Sequence, residues 1–179
     1  MALKATIFKA DLQIADMDRN YYADHALTIA RHPSENDERM MVRLLAFALN
    51  ASETLTFTKG LCDTDEPDIW QKDLTDAIEL WIELGQPDEK RLRQICAKSA
   101  KVLVYCYSGR PAEIWWDQIK GKAARFDNLR VVSIAPESVK ELASLAQRTM
   151  RLQCTIQDGE VWLGDGVTTV GIVPVRWNA

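Results

Sequence analysis

Asp68 and Glu83 are the residues of this chain whose types and spacing most suggest chemistry. Fourteen residues separate them, enough for a hairpin that brings the two carboxylates side by side. Pro67-Asp68 falls in a polar connection, and Glu83 lies near the C-terminal end of the apolar run that follows. Such a pair suits a hard divalent cation. Magnesium takes one or two carboxylates, keeps several waters and is completed by a substrate phosphate. It then supplies Lewis acidity and an activated water for phosphodiester cleavage. The competing reading is a buried polar network with nearby Lys or Arg. Converging acids repel one another, and burying unpaired charge is costly, so either a metal or a matching base is required.

Other chemistries fare worse. There is no Walker loop, no G-x-S-x-G elbow and no H-E-x-x-H. Only two histidines occur, His25 and His32, which argues against a His-rich zinc site. Cys62, Cys96, Cys106 and Cys154 form no CxxC and read as reduced, mostly buried thiols. Gly164-Asp165-Gly166 precedes a β-branched run and reads as a turn, not a phosphate loop. Trp115-Trp116 near the start of a helix reads as core with an exposed edge sooner than as a base-stacking platform.

The elements that position these groups come from 179 residues, whose 47% apolar and 27% charged content suits one soluble globular domain. No apolar run approaches the ~20 residues that span a bilayer. The N-terminus MALKATIFKADLQ lacks a signal peptide's apolar block, so a cytoplasmic protein with no membrane association is expected. The net charge of −4 hides an asymmetry: residues 1–89 hold 8 Lys/Arg against 18 Asp/Glu, and residues 90–130 hold 10 against 3. A uniformly basic nucleic-acid binder is excluded. An acidic region followed by a basic one fits a metal site beside an anion-binding surface, and equally fits solvated faces.

Residues 5–14 and 21–30 predict a β-hairpin. Ser34-Glu35-Asn36-Asp37 fits a capping box opening a helix over 35–49, with Met40, Met41, Leu44, Leu45 and Ala48 on its buried face. Glu38 lies seven positions before Leu45, about 20° away around the helix, at the edge of that stripe. A short strand at 55–58 and a polar connection over 60–76 lead to 77–84, apolar on both parities except at Glu79 and Glu83, as in a central strand. Helices beginning at Pro87, Pro111 and Pro136, the last running to about Arg148, alternate with strands at 102–107 and 131–134. Strands 77–84, 102–107 and 131–134 should neighbour one another in a parallel layer, with the 35–49 helix packed on it. Asp158-Gly159 predicts a tight hairpin between strands 153–157 and 161–163, and 168–176 a last strand.

The run Pro67-Asp68…Glu83 resembles the PD-(D/E)xK nuclease signature, with Glu38 in the position of the acidic residue on that fold's first core helix. More specifically, HPSENDERMMVRLLAFAL (32–49), EPDIW (66–70) and WIELGQPDEKRLRQICAKS (81–99) resemble the YaeQ family, over essentially the whole chain. The resemblance implies a compact variant of the PD-(D/E)xK fold in a bacterial protein. One departure stands out: the nuclease pattern places Lys two residues after the second acid, and here that position is Gly85. Lys90 would reach back from the following helix, or Gln86 would orient a water; a domain that has lost catalysis fits equally.

Residues and resemblance together give one α/β domain over 1–179, with a mixed central sheet flanked by helices, and a Mg²⁺- or Mn²⁺-dependent nuclease-like protein acting on nucleic-acid phosphodiesters. Asp68 and Glu83 would hold the metal, with the carbonyl of Leu84 as third ligand. Glu38 would bind through water or fix the geometry, and Gln86 or Lys90 would position the nucleophile. The alternative is an inactive nuclease-fold module that binds nucleic acid or a protein partner. In either nucleic-acid reading Lys90 and Arg91, at the start of the helix after the Glu83 strand, should face the carboxylates, and Arg93, Lys98, Lys101, Lys120, Lys122 and Arg125 would extend that rim and receive phosphates. A protein-interaction domain without any nucleic-acid link is the third reading.

Overall fold

The computed structural model describes residues 4–58 and 65–178, so Cys62 and the start of the 60–76 connection lie outside the described residues. In chain order the elements are β1 (Thr6–Asp16), β2 (Tyr21–Arg31), α1 (Asp37–Asn50), β3 (Leu55–Phe57), β4 (Ile69–Lys72) and β5 (Ile78–Leu84). They continue with α2 (Glu89–Lys98), β6 (Ser99–Cys106), α3 (Arg110–Ala123), β7 (Leu129–Ser133) and α4 (Pro136–Ala143). The last four are β8 (Thr149–Gln157), β9 (Glu160–Gly164), β10 (Thr169–Ile172) and β11 (Val175–Arg176). The α/β class holds, and the strands divide into two mixed sheets in place of the one expected. The chain forms two compact units, one of Met1–Ala51 with Ala135–Pro174 and one of Ser52–Ile134 with Val175–Ala179. Among the described residues no helix is long and apolar enough to cross a membrane.

The first unit holds the sheet β10-β9-β8-β1-β2. The expected hairpin forms with Thr6 opposite Arg31 and Asp16 opposite Tyr21. Phe8, Ala10, Leu12 and Ile14 alternate into the core while their neighbours face outward, the period of two that fixes register. Parallel pairing of β1 with β8 joins segments more than a hundred residues apart, and α1 and α4 pack together in this unit. Asp158 and Gly159 take φ of 53° and 76°, as a two-residue turn of this hand requires. Asp18 anchors that turn, accepting from the Asp158 and Gly159 amides at 2.7 and 2.9 Å.

Helix α1 departs from the expected start. Its N-cap is Asn36, whose side chain accepts from the Arg39 amide at 2.9 Å, whereas the Ser34 hydroxyl lies 2.7 Å from His32 Nδ1 in the preceding turn. The displacement has a cause in Glu35, which Arg43 draws into the core. Arg43 Nε and Nη2 donate to the two Glu35 carboxylate oxygens at 2.8 Å each, and both side chains are 2% exposed. Every residue from Met40 to Ala48 is buried, so the helix is enclosed on more faces than its apolar stripe. The last helix also ends early, at Ala143. Arg148 is already committed to β1, its carbonyl accepting from the Lys9 amide at 2.8 Å and its Nε donating to the Ile7 carbonyl at 3.0 Å.

His25 gives this unit a pH dependence. Its Nε2 lies 2.7 Å from the Tyr21 hydroxyl, and its ring meets Phe47 edge-on at 5.2 Å. Burial pulls the imidazole pKa below its ordinary 6.5, and nearby Asp24 only partly opposes the shift. The folded state therefore binds the proton less readily than the unfolded state. The stability linked to His25 is fully present above pH 6.5 and is lost as pH falls through the folded value. Urea denaturation across pH 5 to 8, roughly the range in which imidazole titrates, should show this acid-side loss in the wild type and not in His25→Gln. Identical acid limbs in the two proteins would remove His25 from the account.

The second unit holds the sheet β11-β7-β6-β5-β4-β3. Strands β5, β6 and β7 are parallel neighbours as expected, with antiparallel pairs at both ends. Trp81, Val102, Val104, Leu129 and Val131 of the sheet pack against Leu92 and Ile95 of α2 and Ile119 of α3. The 35–49 helix, expected against this layer, lies in the first unit with α4 and β1 as neighbours. Strand β4, expected as part of a polar connection, is four residues long and bounded by charged and turn residues, so it carries little pattern of its own. The 168–176 strand is in fact two. Pro174 interrupts it, β10 pairing with β9 in the first unit and β11 with β7 in the second.

Candidate functional site

The residues singled out for chemistry in the second unit gather at the end of β5. Residue 68 immediately precedes β4, and extending the register one step beyond Ile69 opposite Ile82 sets Asp68 level with Glu83. Asp68 is buried, 5% exposed. Its Oδ2 accepts from the Leu84 amide at 2.9 Å, in place of the ladder bond a regular strand would supply. Its backbone is tied on both sides, donating to the Ile82 carbonyl at 3.1 Å and accepting from the Thr58 amide at 3.2 Å.

Glu83 has a matching base. Arg91, on the first turn of α2, donates Nη2 to Glu83 Oε1 at 2.8 Å and Nε to both oxygens at 3.2 Å. The Trp81 indole adds a bond to Oε1 at 3.2 Å. The same Trp81 ring has the Arg91 guanidinium 5.3 Å and the Lys98 ammonium 4.6 Å from its centre. Helix α2 is aimed by Asp88, which caps it through the Arg91 amide at 2.7 Å, and by the Gly85 turn before it. Gly85 takes φ of 108°, a conformation in which any side chain is strained, although space for one is open. Beyond it, the Gln86 amide donates to the Ser108 hydroxyl. Lys90 is exposed and makes no ion pair among the described residues.

Glu38 belongs to the first unit, half-buried in the opening turn of α1. Among the described residues, no group of three or more His, Cys, Asp or Glu side chains is placed to hold a metal ion. The described cysteines make no disulfide, and burial pushes the Cys106 and Cys154 thiols up to about 12 and Cys96 to about 11. They are therefore protonated, poor nucleophiles.

A second feature was only partly visible in the sequence. Glu89, in the first turn of α2, lies 3.2 Å from Lys122 Nζ, 2.8 Å from Arg125 Nη2 and 3.7 Å from Arg93 Nη2. The hydrogen bond from Lys122 and the three positive charges hold its carboxyl below the usual carboxylate range. Composition places these cations near one another in the chain, but only the α2–α3 packing brings them to one carboxylate.

Comparison with known proteins adds the lineage. The family model described as YaeQ protein matches residues 1–174. The chain is 48% identical over 178 residues to "Uncharacterized protein YaeQ" of Escherichia coli (strain K12), covering 99% of this chain and 98% of that protein. The Salmonella typhi protein of the same description is 49% identical over 178 residues, with the same coverage. The crystal structure of YaeQ protein from Xanthomonas axonopodis pv. citri superposes with a TM-score of 0.95 at 48% identity, over 98% of this chain and 99% of that one. That from Pseudomonas syringae gives 0.93 at 32% identity, over 98% and 97%.

Proposed function

This chain belongs to the YaeQ family, and from that premise we propose that it is a nucleic-acid-binding protein whose acidic pair is structural. The supporting observation is the charge on α2 and at the C-terminal end of α3. Arg93, Lys122 and Arg125 converge on one carboxylate, Glu89, and Lys90 and Lys98 of α2 make no ion pair among the described residues. Arg91 is spent on Glu83. Three cations gathered at one acid leave a local excess of positive charge on which phosphates release counterions and bind. Binding to labelled single-stranded and duplex DNA and RNA, followed by fluorescence anisotropy, should weaken with salt. The slope should be roughly 0.7–0.9 logarithmic units per phosphate contact per tenfold change in salt. Arg93→Ala with Lys122→Ala should reduce affinity and flatten that slope by up to about two contacts. No binding by any of the four polymers at low salt with Mg²⁺ present removes this reading and favours a protein-interaction role.

A metal-dependent phosphodiesterase is the second reading, favoured by Asp68 standing level with Glu83 at a strand end. It follows from the resemblance of Pro67-Asp68…Glu83 to the PD-(D/E)xK signature, in which Asp68, Glu83 and the Leu84 carbonyl would hold Mg²⁺ or Mn²⁺. As they stand the groups do not fit a cation: Asp68 is bonded to an amide and Glu83 to a guanidinium. The motif lysine would fall at Gly85, where the positive φ strains it. In this reading Gln86 and Lys90 are the residues that would position a nucleophile.

A further inference from the structure

The C-terminal half of α3 borders a cavity of about 230 Å³ within the second unit. Its walls bring together Trp116 and Phe126, with Lys120, Arg130 and Asp127 around them. That volume is below what drug-sized ligands occupy and suits a planar base, with a sugar and phosphate left at its rim. Trp116 is held in place by a stacked contact with Trp177, ring centres 6.1 Å apart and planes 30° from parallel. The tail carrying Trp177 is itself pinned. Its amide donates to the Val131 carbonyl at 2.9 Å, while Asn178 Oδ1 accepts from the Val131 amide at 2.9 Å and Nδ2 donates to the Leu129 carbonyl at 2.7 Å.

The charges around this aromatic slot differ from those on the α2 side. Half-buried Arg130 donates Nη1 only to the backbone carbonyls of Asp127 and Leu129, at 3.3 and 3.1 Å. Among the described residues it has no carboxylate partner, and the Asp127 carboxylate has no hydrogen-bond partner. Among the described residues Lys120 pairs only with exposed Asp117, at 3.3 Å. The slot therefore offers stacking surfaces, an unneutralised guanidinium for an anion and an acceptor-only carboxylate for N–H donors.

We propose that this cavity is a mononucleotide subsite: the base stacks on Trp116, the phosphate meets Arg130 and Lys120, and Asp127 accepts from the base edge. Guanine fits best, because its Watson–Crick edge presents adjacent N1–H and N2–H donors that a carboxylate's two oxygens can take together. The inference rests on the nucleic-acid reading above for its biological setting, but its chemistry stands on the cavity alone.

Titration of the protein's tryptophan emission with GMP, AMP, CMP, UMP, guanosine and inorganic phosphate tests it. GMP should quench saturably, with affinity about tenfold or more above AMP, the discrimination one good bidentate contact gives. Guanosine should bind more weakly than GMP, and Arg130→Gln should weaken GMP while leaving guanosine unchanged. Asp127→Asn should abolish the preference for GMP over AMP, and Trp116→Phe should weaken every nucleotide. Absence of saturable quenching by any nucleotide at millimolar concentration overturns the proposal, as does an Arg130→Gln protein that binds GMP like the wild type. Polymer binding without mononucleotide binding sinks the subsite and leaves the nucleic-acid reading standing. Mononucleotide binding without polymer binding does the reverse.

Discussion

Arg43→Ala is expected to destabilise the protein by about 3–5 kcal/mol, because it leaves the Glu35 carboxylate buried without its cation. The pair is 2% exposed on both sides, its two bonds are parallel and short, and the same guanidinium also donates to the Ala30 carbonyl at 3.0 Å. Arg39 Nη1, 3.1 Å from Glu35 Oε1, supplies part of the lost charge but sits nearer the surface, so it does not replace Arg43. Glu35 also accepts from the His32 amide at 3.3 Å, so the turn leading into α1 should loosen with it. For a chain of this length the loss corresponds to a melting point lower by roughly 10 °C. The cause is an orphaned charge, not missing volume. Arg43→Met combined with Glu35→Gln should therefore recover most of the stability that Arg43→Ala loses. Denaturation in urea checks both, and a loss below about 1 kcal/mol for Arg43→Ala would return the pair to the class of surface ion pairs.

That pair also marks where sequence reading stopped. The apolar stripe of α1 was legible from Met40, Met41, Leu44, Leu45 and Ala48, but nothing in that pattern marks Arg43 between them as buried. Only its partner eight positions earlier makes its burial tolerable. The Ser34 capping box failed for the same reason: a local pattern yielded to a tertiary charge pair. Signals confined to a few residues served well. Asp158-Gly159 gave its hairpin, the apolar parity of 77–84 gave a central strand, and prolines marked the starts of α3 and α4. Sheet membership was not legible, because β1 pairs with β8 across more than a hundred residues and β10 parts from β11 at one proline.

The candidate site was legible to the same extent. Spacing was enough to set Asp68 beside the end of the Glu83 strand, and charge balance required either a metal or a base. It did not choose between them. The position of the following helix start set Lys90 and Arg91 to face the carboxylates, and Arg91 does reach back from α2 to Glu83; that it pairs with the acid, while Lys90 stays exposed, depends on the angle of the Gly85 turn. The cavity under Trp116 left even less trace. Asn178 lines it and Trp177 backs Trp116 from the far end of the chain, and a tryptophan pair in a helix reads first as core.

Arg91→Ala is the substitution that separates a structural acidic pair from a metal site. The Glu83 side chain is 12% exposed and that of Arg91 23%, between the surface and fully buried cases, so removing the cation should cost about 2–3 kcal/mol. Adding Glu83→Gln should restore part of that loss, because a neutral amide no longer needs the guanidinium, and the non-additivity of the double substitution measures the pair directly. Asp68 should behave differently. Asp68→Asn keeps an oxygen for the Leu84 amide and should cost less than Asp68→Ala. Asp68→Ala strands a buried N–H and should cost about 1–3 kcal/mol. If the pair is structural, millimolar Mn²⁺ leaves the melting temperature of Arg91→Ala where it was. If Glu83 and Asp68 are metal ligands, removing Arg91 frees a carboxylate, and Mn²⁺ should raise the melting temperature of Arg91→Ala above its metal-free value in a saturable way. Asp68→Asn in the same background would then abolish the rise. That second pattern would displace the structural reading of the pair, while the phosphate-binding surface on α2 and α3 would still be judged by its own salt dependence.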